Sequence, residues 1–220
     1  MSVKHFHVLR HGQAIHNVQR GWPERDPPLT EQGLAEASDV SLTFIPDLII
    51  CSPMTRTIQT LYAILSKLKD HPTHSSSNGN DPDIRVEIWP ELRETHDHAT
   101  CNLGRSRAEL KAAYPSLDFS RCHEEWDYPG HTDERAFQRA EAFLQELKGR
   151  PESNVLIISH RGILRYIFGG EIFRNCEERK SYAEGEGIHR RHVLPESGFD
   201  LGHQKTWLVK TDAPGAVKFG

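Results

Sequence analysis

Arg10-His11-Gly12, with Asn17 five positions beyond the Gly, is a set of side chains suited to gripping and attacking an anion. A neutral imidazole is a nucleophile near neutral pH. A guanidinium presents a planar fork of donors that matches phosphoryl oxygens. Gly12 lets backbone N–H groups come close to an anion with no Cβ in the way. Short motifs also arise by chance, so a strand end with a structural Arg and a hydrogen-bonded His is the competing reading of these residues alone.

Three more stretches place reactive groups in similar settings. Asp47 to Cys51 reads as a short apolar strand, and Ser52-Pro53 turns it into a helix with Ser52 as N-cap, Pro53 at the first position and Arg56 in the first turn. A helix N-terminus and an arginine add their fields and favour an anion. After a strand at Ile84 to Ile88, Trp89-Pro90-Glu91-Leu92-Arg93-Glu94 brings two carboxylates to a strand end. Asn154 to Ser159 is the most apolar segment, expected to be a central strand, and it ends in Ser159-His160-Arg161-Gly162.

The elements that must position these groups alternate. The run Val3 to Leu9 predicts a first, central and parallel strand. Thr30 caps a helix expected to reach about Phe44. Ser106 caps one ending before Pro115, and Thr132 caps one ending near Lys148 with Ala136, Arg139, Ala140, Phe143, Leu144 and Leu147 on a shared face. A further helix follows His160 through Phe168. Asn175 to Tyr182 is expected as an edge strand and Lys205 to Lys210 as the last strand. Asp70 to Asp83 reads as a surface loop and Asp212 to Gly220 as a loose tail.

Strands alternating with helices predict a three-layer α/β/α domain around a mostly parallel sheet. In such sheets ligands bind beyond the carboxyl ends of the strands. His11, Arg56, Glu94 and His160 all fall at or just after such ends, and this convergence carries the reading.

Composition narrows the partners. With 220 residues the chain fits one domain spanning 1–220. A net charge of −4 argues against general nucleic-acid affinity. The sequence has no apolar run long enough for a membrane span and begins without a leader's apolar core. Cys51, Cys101, Cys122 and Cys176 are far apart and form no metal or redox motif. The expectation is a cytoplasmic or nuclear protein with reduced thiols.

The chain resembles the histidine phosphatase superfamily, whose fold is that of phosphoglycerate mutase. The resemblance rests on Leu9-Arg10-His11-Gly12-Gln13 with Asn17, Asp26-Pro27-Pro28-Leu29-Thr30 with Gly33, Ser52-Pro53-Met54-Thr55-Arg56-Thr57 with Gln59-Thr60, Glu91-Leu92-Arg93-Glu94, and Ser159-His160 with Gly162. Asn175-Cys176-Glu177, with Arg179 and Tyr182, is similar to the end of small fungal members. The resemblance implies that His11 becomes a phosphohistidine and that Arg10, Arg56 and His160 clamp the transferred group. It also implies that Glu94, rather than Glu91, is the general acid, because the family's acid usually follows the Leu by two residues.

The reaction expected is hydrolysis of a small-molecule phosphomonoester, with no metal and no cofactor. Asn17, Gly12 and Arg161 are further candidates for holding the phosphoryl oxygens. His16, Trp22 and Arg25 are candidates for the substrate mouth. The region 95–131 is expected as a small cap whose His96, His98, Arg105, Arg107, Lys111, Arg121 and His123 could select an anionic substrate.

Besides a phosphoprotein phosphatase, which a wide, uncapped cleft would support, two alternatives remain open. One is a cofactor-dependent phosphoglycerate mutase; those enzymes usually follow the acid Glu with an Arg and a Tyr-Gly segment, where this chain has Thr95-His96-Asp97. The other is a non-catalytic phosphate- or protein-binding module on the same fold.

Overall fold

The structure is a computed structural model that describes residues 5–69, 84–96, 98–127, 130, 132–167, 173–193 and 200–210. The loop 70–83 and the tail 212–220 lie outside the described residues, as do Val3 and Phe168. Strands β1 (His5–Arg10), β2 (Leu48–Cys51), β3 (Arg85–Ile88), β4 (Asn154–Ser159), β5 (Glu178–Val193) and β6 (Asp200–Lys210) form one sheet in the order β3-β2-β4-β1-β5-β6. β1 to β4 run parallel, and β5 and β6 are added antiparallel. The sheet is therefore mostly parallel.

Alternation along the strands feeds two cores, as the period of two requires. Phe6, Val8, Leu48, Ile50, Val155 and Ile157 face one side. There they meet α5 (Asp133–Lys148) and α6 (Arg161–Ile167) through residues such as Ala140, Phe143, Ile163 and Ile167. Leu9, Ile49, Cys51, Leu156 and Ile158 face the other side, against Ile58, Leu61 and Leu68 of α3 (Thr55–Lys69). Helices on both faces of the sheet make the three layers. β4 is apolar and buried on both sides, as its sequence requires.

The helices expected from caps begin where expected at Thr30, Ser106 and Thr132, each side chain accepting from the backbone N–H three residues on. α4 (Arg107–Ala113) has the full capping box with Glu109.

Other boundaries differ. After the single turn α1 (Ile15–Val18), α2 (Glu31–Asp39) ends five residues before Phe44. The Lys67 ammonium donates to the Asp39 carbonyl and to the Ser41 hydroxyl, and so satisfies a helix end. Val40, Leu42 and Phe44 still pack on the core, but from irregular chain. α3 starts at Thr55 rather than Pro53: Thr55 N and Oγ1 donate to the Asp26 carboxylate, while the Ser52 hydroxyl, which also pairs with His160, accepts from Met54 N at 3.4 Å. The strand expected at an edge, β5, is internal: it lies between β1 and β6, and β6 takes the edge.

The first loop is held by two glycines back to back. A Cβ on Gly33 would lie 1.9 Å from the Gln13 carbonyl oxygen, and one on Gly12 would lie 2.5 Å from the Gly33 carbonyl oxygen. Gly33→Ala should therefore destabilise the fold by about 1–3 kcal/mol, read as a lower midpoint in urea unfolding; an unchanged midpoint would contradict this packing.

Candidate active site

His11 follows the last residue of β1. Its own N–H still reaches the Ser159 carbonyl of β4 at 3.0 Å, so the ring leaves from the carboxyl edge of the sheet. Its Nδ1 lies 2.7 Å from the Gly12 carbonyl oxygen. A carbonyl only accepts, so Nδ1 carries the proton and Nε2 keeps its lone pair. The His160 ring centroid is 5.2 Å away and that of His16 is 6.0 Å away.

Two buried cations and a second buried imidazole belong to the same site as this ring. Arg56, in the first turn of α3, is fully buried. Its Nη1 donates to the Cys101 carbonyl at 3.1 Å, while its Nε and Nη2 have no hydrogen-bond partner among the described residues. Arg10 donates from Nη1 to the Phe173 carbonyl at 3.0 Å, and its buried Nε is likewise unpartnered. His160 is held through Nε2 by the Ser52 hydroxyl at 2.8 Å, leaving Nδ1 unpartnered. Buried donors without acceptors are costly. A compact oxyanion beside His11 would satisfy them.

Asp26 sets Arg56 in place. Its carboxylate accepts from Thr55 N at 2.9 Å and Thr55 Oγ1 at 2.6 Å, so it caps α3 from a distant loop. The same carboxylate is 3.9 Å from Arg56 Nη1 and 3.8 Å from Arg105 Nε. Asp26 adopts φ 48°, a left-handed backbone that Asp tolerates better than most residues.

Glu94 comes from the loop after β3, past a 3-10 turn at Pro90–Leu92. Its Oε1 accepts from Thr95 N at 2.9 Å and from Ile163 N of α6 at 3.2 Å. A Cβ at position 162 would be 2.1 Å from Glu94 Oε1, so a side chain there would push the carboxyl out of this position. Glu94 lines the central cleft, of about 680 Å³, whereas Glu91 does not and sits 3.9 Å from Arg121.

The family description "Histidine phosphatase superfamily (branch 1)" matches residues 6–171. The chain belongs to this superfamily. An Arabidopsis thaliana phosphoglycerate mutase-like protein is 29% identical over 99% of this chain and 93% of its own length. A Schizosaccharomyces pombe protein named "Probable phosphatase" is 26% identical over 71% of this chain and 74% of its own. Among solved structures, a mycobacterial glucosyl-3-phosphoglycerate phosphatase has the same fold, with TM-score 0.52 and 20% identity over 83% of this chain and 92% of the other.

Within this histidine phosphatase fold, the residues expected at the site divide into three groups. Arg10, His11, Glu94, Asn17 and Arg161 line the cleft, as do His16, His96 and His98. Arg56 and His160 are fully buried behind that lining. The third group lies elsewhere: Arg25 pairs with Asp127, Arg107 with Glu124 and Arg121 with Glu146, and neither Trp22, Lys111 nor His123 lines the cleft.

Among the described residues of the region 95–131, those that line the cleft are Thr95, His96, His98, Cys101 and Asn102; Leu110, Phe119, Cys122 and Trp126 pack into the core on the α3 side. Gly12 needs correcting in one respect. Its amide donates to Thr60 Oγ1 at 3.1 Å, so it is not offered to an anion; the residue instead supplies the carbonyl that orients His11. Asn17 accepts from Ala14 N at 2.9 Å through its side-chain oxygen, which is thereby spent on the loop, and its amide nitrogen lies 3.1 Å from His16 Nε2.

Sequence reasoning missed several contributors. Arg20 and Arg165 line the cleft, and the Tyr166 hydroxyl donates to Asp133 at its wall. Asn175 donates to the His11 carbonyl at 3.0 Å and ties the segment before β5 to the nucleophile loop. Asp26 and Ser52 stood inside quoted motifs, but nothing local signalled their partners.

Burial, followed by the charges of Arg56 and Arg10, holds His11 well below the usual histidine range. Burial and then Arg56 do the same to His160, and burial takes His16 down to about 3. Arg10 is lowered by burial to about 10 and stays charged at neutral pH. In the unfolded chain each histidine takes a proton near pH ~6.5; in the fold they do not. The unfolded state therefore binds more protons below that pH, and stability falls as pH falls. For His11 and His160 together the loss should be about 3 kcal/mol between pH ~7.5 and ~5.5, with His16 adding to it. Urea unfolding at the two pH values measures this, and equal stability at both would refute neutral burial of these rings.

Proposed function

We propose that this chain is a metal-independent phosphatase that hydrolyses a small phosphomonoester through a phosphohistidine on His11. The observation that carries the reading is the His11 ring: its proton is fixed on Nδ1 by the Gly12 carbonyl, and its free Nε2 belongs to a site whose buried cations have donors to spare. A phosphoryl group in transfer spreads negative charge over three oxygens, so positioning and cationic stabilisation supply most of the catalysis.

In the first half-reaction His11 Nε2 forms a bond to phosphorus as the ester P–O bond breaks. Arg10, Arg56 and His160 hold the phosphoryl oxygens. Protonated Glu94 gives its proton to the leaving oxygen, which departs as the alcohol. In the second, carboxylate Glu94 takes a proton from water, whose oxygen bonds to phosphorus as the P–N bond breaks. The sum is ester plus water to alcohol plus phosphate, with His11 and Glu94 restored. Arg161 and Arg20, both exposed at the cleft, are placed to meet the rest of the substrate. The four cysteines are unbridged, which suits a cytoplasmic setting.

The names of relatives support both phosphatase and mutase chemistry, and these differ in where the phosphoryl group goes. Phosphate release should be measured from a panel of phosphomonoesters with 3-phosphoglycerate included, in EDTA. We expect phosphate release that EDTA leaves unchanged and that His11→Ala lowers by more than about a thousand-fold. Conversion of 3-phosphoglycerate to its isomer without phosphate release would establish the mutase. Retained turnover in His11→Ala would overturn the phosphohistidine route. Tight phosphate binding without turnover of any ester would point to a binding module.

A further inference from the structure

Arg139 sits in the middle of α5, among Ala136, Ala140 and Phe143 on the face packed against the sheet. A cation on an apolar helix face needs a reason. Its guanidinium makes four hydrogen bonds, all to backbone carbonyls of the loop that carries Glu94. Nη1 donates to Glu91 O at 2.9 Å and Arg93 O at 3.0 Å; Nη2 donates to Glu94 O at 2.9 Å and Thr95 O at 3.2 Å. The carbonyl left in this run, that of Leu92, accepts from the Ser159 hydroxyl at 2.8 Å. The four N–H groups on the two terminal nitrogens thus meet four acceptors, a match that the planar fork of Arg allows and a Lys ammonium does not.

We propose that Arg139 is a positioning residue that sets the acid Glu94 by gripping the carbonyls of its loop. This rests on the reading of Glu94 as general acid given above. The loop has no strand ladder to hold it. Glu94 Oε1 is fixed by Thr95 N, an amide of that same loop, and by Ile163 N of α6. The loop backbone must therefore stand at one height relative to α6 for both bonds to form. Arg139, anchored on α5 and not itself part of the cleft lining, sets that height. Its partners are all carbonyls of one loop, so loosening it moves the acid before it moves His11, Arg10 or Arg56.

A residue that places the general acid leaves a signature that a purely structural residue does not. An alkyl phosphomonoester needs its leaving oxygen protonated, whereas p-nitrophenyl phosphate expels a stable anion. The value of kcat/KM covers the steps up to departure of that group, before water enters. We would compare the wild type, Arg139→Met, Arg139→Lys, Glu94→Gln and the Glu94→Gln/Arg139→Met double variant on glycerol phosphate and p-nitrophenyl phosphate.

The expected result is a loss of kcat/KM in Arg139→Met at least about ten times larger on glycerol phosphate than on p-nitrophenyl phosphate. Arg139→Lys should fall between it and the wild type, and the double variant should be no slower than Glu94→Gln alone. Vanadate affinity, set by the cations around His11, should change far less than turnover. Equal losses on the two esters, or losses that add in the double variant, would overturn the proposal while leaving the phosphatase reading intact. A wild type that hydrolyses neither ester would instead remove the phosphatase reading, and this inference with it. If Arg139→Met does not fold, the same comparison between Arg139→Lys and the wild type decides, because Lys keeps the charge but loses the two-pronged grip.

Discussion

Positive charge buried at the carboxyl edge of a parallel sheet is the constraint on which the rest of the structure depends. Arg56 is wholly inside the protein and Arg10 nearly so. Taking a guanidinium out of water is costly unless its donors and its charge are met. The fold meets them only in part. Asp26 brings a carboxylate near Arg56, and the carbonyls of Cys101 and Phe173 each accept one bond. These three partners come from the loop before α2, the segment after Glu94 and the segment before β5. The same arrangement that positions the cations therefore ties distant parts of the chain to the sheet edge, and the donors left over define what the site can bind.

The histidines answer to the same field. Burial and the two arginines keep His11 neutral, and a backbone carbonyl decides which nitrogen bears its proton. Neither effect alone makes a nucleophile. A neutral ring with the other tautomer would hold its lone pair against the Gly12 carbonyl, and a protonated ring would have no lone pair to offer. The close approach of Gly12 and Gly33 holds the loop that supplies the carbonyl, so a packing requirement between two glycines reaches the chemistry directly.

The acid side of the cleft is built differently. Glu94 is oriented by backbone N–H groups rather than by buried charge, and Gly162 makes room for it. Its loop is held from behind by an arginine that makes no contact with the cleft lining's nucleophile loop in any hydrogen bond described. Cations thus serve the site in two ways: Arg10 and Arg56 through unspent donors, Arg139 through the four N–H groups of its terminal nitrogens, all spent on the backbone.

By itself the sequence determined the alternation of strands and helices, the helix caps at Thr30, Ser106 and Thr132, and the placement of Arg10, His11, Arg56, Glu94 and His160 at strand ends. These are local properties: hydrophobic period, capping chemistry, and the rule that parallel strands present their carboxyl ends on one edge. Tertiary structure alone decided that β5 is internal, that Asp26 caps α3 at Thr55, and that Ser52 also holds His160. It also decided that Gly12 spends its amide on Thr60 and that the guanidinium of Arg139, read as part of an apolar helix face, goes to the carbonyls of the Glu94 loop. Each of these depends on which donors and acceptors remain unpaired once distant segments have packed, and no window of neighbouring residues contains that information.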